Sequence, residues 1–265
     1  ANIKETIDSN GDVQNFVNAF NAAFDGFVEQ LRTRLIKNYA EVQEIKEQDA
    51  IADDIFARMA SLPLLDKYAA YEALATRWGM IVSDIETLQS EGVDAARVVE
   101  DSYKIVKKDD EEIEVVDGRK GRIIPFDMVQ RVMFSDQLDA IANGESHLEL
   151  IATALDELRD SFDEDEQVAY LDEDDNTKFN KNKIKADAKP RADVEEETKK
   201  KLKAIVALWD EQSKINRAIK TVKLGLVEKT EKAINNLTDE EVADFLDSKW
   251  VIPVCIGIES LMRDT

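Results

Sequence analysis

Apolar side chains recur at three- and four-residue steps along most of this chain, which predicts a mainly α-helical fold. The first stripe consists of Val13, Phe16, Phe20, Phe24, Phe27, Leu31 and Leu35. Asp12 precedes this stripe and is its expected N-cap. Further helices are predicted over 49–60 and 64–88, with Pro63 and Gly92 at their limits. Together these elements define a helical N-terminal region, residues 1–92.

Between residues 93 and 124 the apolar residues no longer follow the three- and four-residue spacing of a helix. The segments 103–106 and 113–116 are short β-prone runs separated by an acidic turn, and 121–124 is a third candidate. We therefore expect a small antiparallel β element of two or three strands near residues 103–124, inside a connector spanning 93–124. Pro125 follows at a position where a helix can begin.

Residues 125–236 contain two sustained heptad patterns. The first is Phe134, Ile141, Leu148, Ile151, Leu155, Leu158 and Phe162, with Gln137 and Gly144 as weak positions. The second is Ile205, Leu208, Gln212, Ile215, Ile219, Val222 and Leu226. Two such patterns in one chain predict a long antiparallel coiled-coil hairpin, or half of a bundle that a second protein completes.

The second heptad pattern supplies the candidate interface residues Ile205, Leu208, Ile215, Ile219, Val222 and Leu226. Most apolar stripes of this kind are internal core, so pairing within the hairpin is one interpretation. A two-helix hairpin also leaves apolar flanks, so pairing together with docking of an external partner is the other. The pattern alone leaves both open.

The two heptad helices are joined by a predicted charged loop, residues 163–194. The segment 156–175 is strongly acidic and 178–191 is strongly basic. One interpretation is a solvated, mobile connection. The other is that the basic part touches phosphate within a larger complex, with these candidate contacts: Lys178, Lys181, Lys183 and Lys185.

The formal net charge of −22 opposes binding of a phosphate backbone by this chain alone. Contact with DNA would need a basic partner or a local basic patch, and we expect it only within a complex. The single Cys255 excludes an internal disulfide and fits a reducing, cytoplasmic location. No apolar run is long enough to span a membrane, and no signal peptide is recognisable. The two ends of the chain indicate a segment of a longer protein.

The residues that catalysis requires are missing from this sequence. There is no glycine-rich cofactor loop and no pair of adjacent prolines as in amino-group DNA methyltransferases. His147 is the only histidine and lies in the heptad pattern without a nucleophile beside it. Acidic pairs are too abundant to single out a dyad. We therefore predict no catalytic, cofactor-binding or metal-ligating residue.

Three segments carry a resemblance to a known family. The first is 63–74, PLLDKYAAYEAL, closing on Trp78; the second is Ile124 with Pro125 before an amphipathic helix; the third is 237–242, LTDEEV, continuing to 247–250, DSKW. In order and spacing they resemble the C-terminal region of the modification (methyltransferase) subunits of bacterial type I restriction–modification systems, over about residues 12 to 260. Ser248 departs from the family pattern, which has a second Asp there.

This resemblance implies a specific role. In that family the methyltransferase domain lies upstream and transfers a methyl group from S-adenosylmethionine to adenine in DNA. The C-terminal helices pack against the specificity subunit, in a complex with a second modification subunit that the restriction subunit can join. The chain would then be a non-catalytic assembly segment, residues 237–265 being its C-terminal helical part. The cofactor would bind the upstream domain and not this segment.

Trp250 is a further interface candidate, because aromatic residues often anchor protein interfaces. Its alternative role is to seat the last helix in the core, after a helix start at Thr238 that reads as a capping box with Glu241. Two rival functions also stay open: a free-standing structural coiled-coil scaffold, and an enzyme with acidic metal ligands.

Overall fold

The computed structural model describes residues 10–108, 111–172, 175, 177–190 and 192–263. They form a mainly helical fold with a two-stranded antiparallel sheet, which confirms the predicted fold class. The chain divides into two compact units. The first comprises the described residues up to Val129 and those from Thr230 onward, and the second is Gln130–Lys229.

The first unit is built mainly of α-helices. In chain order they are α1 (Gly11–Ala23), α2 (Phe27–Leu31), α3 (Glu44–Met59) and α4 (Lys67–Glu91), and α5 (Phe126–Met133) crosses the limit of the unit. Two π-helical segments, Arg32–Lys37 and Asp247–Val251, and two 3₁₀ turns, Tyr39–Glu41 and Val93–Arg97, lie among them.

Local sequence explains where these helices begin and end. Asn10 caps α1 by accepting a hydrogen bond from the Asp12 N–H at 2.8 Å, so the prediction that Asp12 is the cap was wrong by two residues. Asp66 caps α4 in the same way, through the Tyr68 N–H. Gly92 ends α4 with a φ of 83°, a conformation that favours glycine, as its predicted position at the helix end required.

The sheet is a single hairpin of longer strands than the sequence indicated. Strand β1 (Val99–Lys108) pairs with β2 (Glu111–Gly121), from Val99 opposite Gly121 to Lys108 opposite Glu111. A bulge lies between Ser102 and Tyr103. Among the described residues, 121–124 do not form the third strand that the sequence left open.

The second unit contains α6 (Ser135–Asp160), α7 (Glu164–Tyr170), α8 (Lys181–Asp187) and the part of α9 (Glu196–Asn235) up to Lys229. Helices α6 and α9 carry the two heptad patterns. The prediction of a charged loop over 163–194 was wrong, because this segment contains α7 and α8. They form because apolar residues spaced among the charges pack together, namely Phe162, Tyr170, Leu171, Ile184, Leu202, Ile205 and Trp209.

The C-terminal residues do not form a separate segment, which corrects the predicted limit at residue 237. Helix α10 (Asp239–Leu246) and helix α11 (Ile252–Arg263) belong to the first unit. Helix α11 packs on α4 so closely that a Cβ on Gly257 would lie 2.8 Å from the Ala73 Cβ. The capping box predicted at the start of α10 is confirmed, because Thr238 and Glu241 exchange hydrogen bonds.

Candidate docking surfaces

Helices α6 and α9 pair in antiparallel fashion within the second unit. The Nε2 atom of His147 lies 3.3 Å from the Glu211 carboxylate, and the Lys223 Nζ donates to Glu145 at 2.7 Å. Ile151 and Leu155 share a buried cluster with Leu202, Ile205 and Trp209. Residues further along α6 contact residues earlier in α9, so the two helices run in opposite directions, as predicted for the hairpin.

The weak heptad position Gly144 has a packing function. A Cβ at this residue would lie 3.0 Å from the Cδ1 and Cγ1 atoms of Ile219, tighter than an ordinary contact. The absence of a side chain therefore lets Ile219 fill the space between the helices.

The interface candidates on α9 divide into two groups. Ile205 and Leu226 are buried, whereas Leu208, Ile215, Ile219 and Val222 are half-buried. The stripe therefore forms the line of contact between α6 and α9, which we call the seam. The central part of this seam is partly open to solvent. The sequence pattern did not identify the most exposed leucines of the hairpin, Leu150 and Leu224, which are 68% and 61% exposed.

The end of the hairpin is closed by a small folded cap. The ring of Phe179 lies edge-on to those of Phe162 and Trp209, with centroids 6.1 and 5.8 Å apart. Glu166, buried at the start of α7, accepts a hydrogen bond from the Lys201 Nζ at 2.7 Å. Burial acts to raise the pKa of Glu166, but hydrogen bonds from Lys201, Thr198 and the Asp163 backbone outweigh it, so the net shift is downward.

The four lysines predicted as phosphate contacts lie in this cap region. Lys178 pairs with Asp175 at 2.8 Å and Lys183 with Asp187 at 3.1 Å, so acidic neighbours already offset these two charges. Lys181 lies over the Trp209 ring at 5.5 Å, and Lys185 is exposed on α8. Arg191, the end of the predicted basic segment, lies outside the described residues.

Trp250 belongs to the first unit and is fully buried there, so in this fold it is a core residue and not a surface anchor. Its Nε1–H donates to the Asp84 Oδ2 atom at 2.9 Å. The Lys249 Nζ donates to the same oxygen at 2.5 Å and to the Ile123 carbonyl at 2.6 Å. A buried indole N–H is usually hydrogen-bonded, and for Trp250 the partner is Asp84.

This network connects the sequence segments that carry the family resemblance. Asp84 lies on α4, the helix that begins in the first segment, Ile123 precedes the second, and Lys249 with Trp250 ends the third. The sequence pattern gave no reason to select Asp84, because its two partners lie 165 and 166 residues away.

A small apolar pocket of about 110 Å³ lies between α1, α2 and α11. Its main lining residues are Phe20, Phe24, Phe27, Val28, Cys255 and Ile258. Burial raises the pKa of the Cys255 thiol to about 11, so this side chain stays protonated at neutral pH. It acts here as a small apolar group.

Among the described residues, no group of three or more His, Cys, Asp and Glu side chains is placed to hold a metal ion. In the same part of the chain, no helix has the length and apolar character needed to cross a membrane. No family model matches the sequence, and neither the curated proteins nor the solved structures include a significant match.

Proposed function

We propose that this chain is the C-terminal assembly segment of a type I restriction–modification methyltransferase subunit. It docks the specificity subunit, and a domain preceding it in the parent protein methylates adenine in DNA with S-adenosylmethionine. The partners are the specificity subunit, a second modification subunit and the restriction subunit, in the cytoplasm, with DNA engaged only in the complex. The single observation that carries this proposal is the hairpin of α6 and α9, with its incompletely covered apolar seam.

The physical argument for docking rests on exposed apolar area. Leu150 on α6 and Leu224 on α9 project largely into solvent, and the seam residues Ile215, Ile219 and Val222 are only half-buried. Leu224 follows Val222 by two residues, about 200° around the helix, so it lies on the face of α9 away from the seam. Burying one leucine stabilises an interface by about 1.5–3 kcal/mol. Partner helices that complete a bundle would cover the open edge of the seam, and those that pack on the outer faces of the hairpin would cover the two leucines.

The family resemblance supplies the identity of the partner. The three segments that carry it belong to the first unit, where Asp84, Ile123, Lys249 and Trp250 connect them. If the chain belongs to this family, its relatives should keep these residues, because the contacts hold the fold of the first unit together. Docking then belongs to the second unit, and the three segments stabilise the first.

The test is to mix the chain with the specificity subunit of its own system and measure binding by calorimetry and co-elution. The double variant Leu150→Gln, Leu224→Gln should bind at least about tenfold more weakly, because each lost contact contributes about 1 kcal/mol or more. Ile45→Gln is the matched control, since Ile45 is 72% exposed and belongs to the first unit. No S-adenosylmethionine binding by the chain itself is expected.

Two results would count against the proposal. One is the absence of a complex when both proteins are folded. The other is self-association of the chain that the double variant abolishes, which would favour the free-standing coiled-coil scaffold instead.

A further inference from the structure

A second surface, in the first unit, has the form of a binding groove. One wall is the π-helical segment Arg32–Lys37 with the 3₁₀ turn Tyr39–Glu41, and the other is helix α10 with Asp247. Two cavities of about 360 and 290 Å³ follow one another along it. Both are lined by Ile36 and Ala243, so they form one continuous groove.

The floor of this groove is apolar. Leu88, Val242 and Leu246 are buried beneath it. Ile36, Tyr39, Val93 and Ala243 are half-buried and line its surface. A ligand that enters the groove therefore meets apolar side chains from both walls.

The first wall includes a π-helix and the second ends at Asp247, where another π-helix, Asp247–Val251, begins; this rare conformation is frequent at functional sites. In the first, the Asn38 N–H donates to the Thr33 carbonyl at 3.0 Å, five residues back. The Arg32 guanidinium joins the two walls by donating from Nε and Nη2 to the two carboxylate oxygens of Asp247, each at 2.8 Å. This bidentate pair fixes the spacing of the walls at one end of the groove.

The rim of the groove is acidic where it meets solvent. The side chains of Asp94 and Asp239 are 88% and 81% exposed, whereas Arg97, which bonds both, is only 17% exposed. Asp244 is also exposed on the α10 wall. Arg32 is occupied by Asp247 and Glu29, so Lys37 is the exposed cation among the residues that line the groove.

We infer that this groove binds an amphipathic α-helix of a partner protein, with an apolar face flanked by lysine or arginine. An apolar floor between two helical walls fits the helix-in-groove mode of recognition. The acidic rim selects basic flanks, because unlike charges steer association and like charges oppose it. A phosphate backbone and a second copy of this chain, with its net charge of −22, are disfavoured by the same charges.

This inference does not depend on the proposed function, because the groove and the hairpin belong to different units and can be altered separately. Its first test uses two synthetic stapled helices on the full chain. Both carry leucines at i, i+3, i+4 and i+7, one flanked by lysines and the other by glutamates. Fluorescence anisotropy at low salt should show the lysine helix binding at least about tenfold more tightly, a difference of about 1.4 kcal/mol.

The second test alters the groove itself. Ala243→Trp places an indole over the apolar floor and should weaken binding of the lysine helix at least about tenfold. Ala57→Trp, at an exposed alanine on α3 of the same unit, is the matched control and should leave binding unchanged. Asp244→Lys, at an exposed site, should weaken binding of the lysine helix and strengthen binding of the glutamate helix.

Several outcomes would overturn the inference. They are no binding of the lysine helix, equal binding of the two helices, or equal effects of Ala243→Trp and Ala57→Trp. Dimerisation of the unliganded chain that Ala243→Trp abolishes would show that a second copy fills the groove. Circular dichroism of each variant establishes that a loss of binding is not a loss of folding.

Discussion

At the scale of single residues, the ion pair of Asp84 and Lys249 in the first unit shows how burial changes the effect of a charge. Their side chains are 11% and 14% exposed, and both make a second hydrogen bond, to Trp250 and to the Ile123 carbonyl. A charge removed from water and left without its partner costs several kcal/mol, whereas an exposed pair contributes little.

We therefore predict that Lys249→Met lowers the free energy of unfolding by about 3–5 kcal/mol, because it leaves the Asp84 carboxylate buried without its cation. Urea unfolding followed by circular dichroism measures the loss. Lys223→Met is the matched control, since the Lys223–Glu145 pair is 54% and 52% exposed and should cost less than about 1 kcal/mol.

A double-mutant cycle with Asp84→Leu separates the pair from its surroundings. The double variant Asp84→Leu, Lys249→Met should be more stable than the sum of the single losses implies, because no unpaired charge stays buried. Additive losses would contradict the assignment of this pair as a coupled, buried unit.

At the scale of elements, the helical hairpin depends on one close approach. Gly144 is the residue that lets α9 lie near α6, and glycine in a helix interior costs about 0.5–1 kcal/mol relative to alanine. The helix keeps this unfavourable residue because Ile219 occupies the space where its side chain would be.

Replacing Gly144 by leucine should destabilise the second unit by about 1–3 kcal/mol, because the added side chain overpacks the seam against Ile219. Gly225→Leu on α9 is the comparison, since a Cβ there meets no atom within 4 Å. That variant should be neutral, or more stable by up to about 1 kcal/mol through better helix propensity. Thermal unfolding of the two variants distinguishes them, and a smaller loss for Gly144→Leu than for Gly225→Leu would refute the packing argument.

At the scale of the whole molecule, a fall in pH has two opposing effects on the stability of the folded chain. Falling pH reduces the net charge of −22, which relieves repulsion among the acidic side chains. It also protonates carboxylates that the folded state holds ionised. Glu166 is such a group, because its pKa in the folded chain is lowered from 4.5. A lowered pKa contributes stability above the unfolded pKa and loses it as pH falls through the folded pKa.

We therefore predict that the melting temperature of the second unit falls between about pH 4.5 and the lower folded pKa of Glu166, through loss of its bonds with Lys201. Glu166→Gln should be less stable than the wild type at pH 7, and this difference should shrink as pH falls through that window. Glu164→Gln, at an exposed position two residues earlier, should follow the wild type throughout. A Glu166→Gln difference that is independent of pH would contradict the assignment.

The sequence by itself determined the long helices and the pairing of α6 and α9 in a hairpin. Helical periodicity is local, since residues three and four apart share a face whatever the rest of the chain does. The heptad stripe from Ile205 to Leu226 therefore predicted which face of α9 turns inward. The capping box of Thr238 and Glu241 was equally readable, because its two residues lie within one turn.

Tertiary structure alone decided what these faces meet. The cap at 163–194 was not visible in the pattern, since Tyr170, Leu171 and Ile184 follow no single period among the charges and become a core only against Trp209. The hydrogen bond from the buried Trp250 indole goes to Asp84, which is 166 residues away. The groove between Ile36 and Ala243 likewise joins distant segments. Contacts between residues far apart in sequence produce no repeating pattern in the sequence, so only the folded structure reveals them.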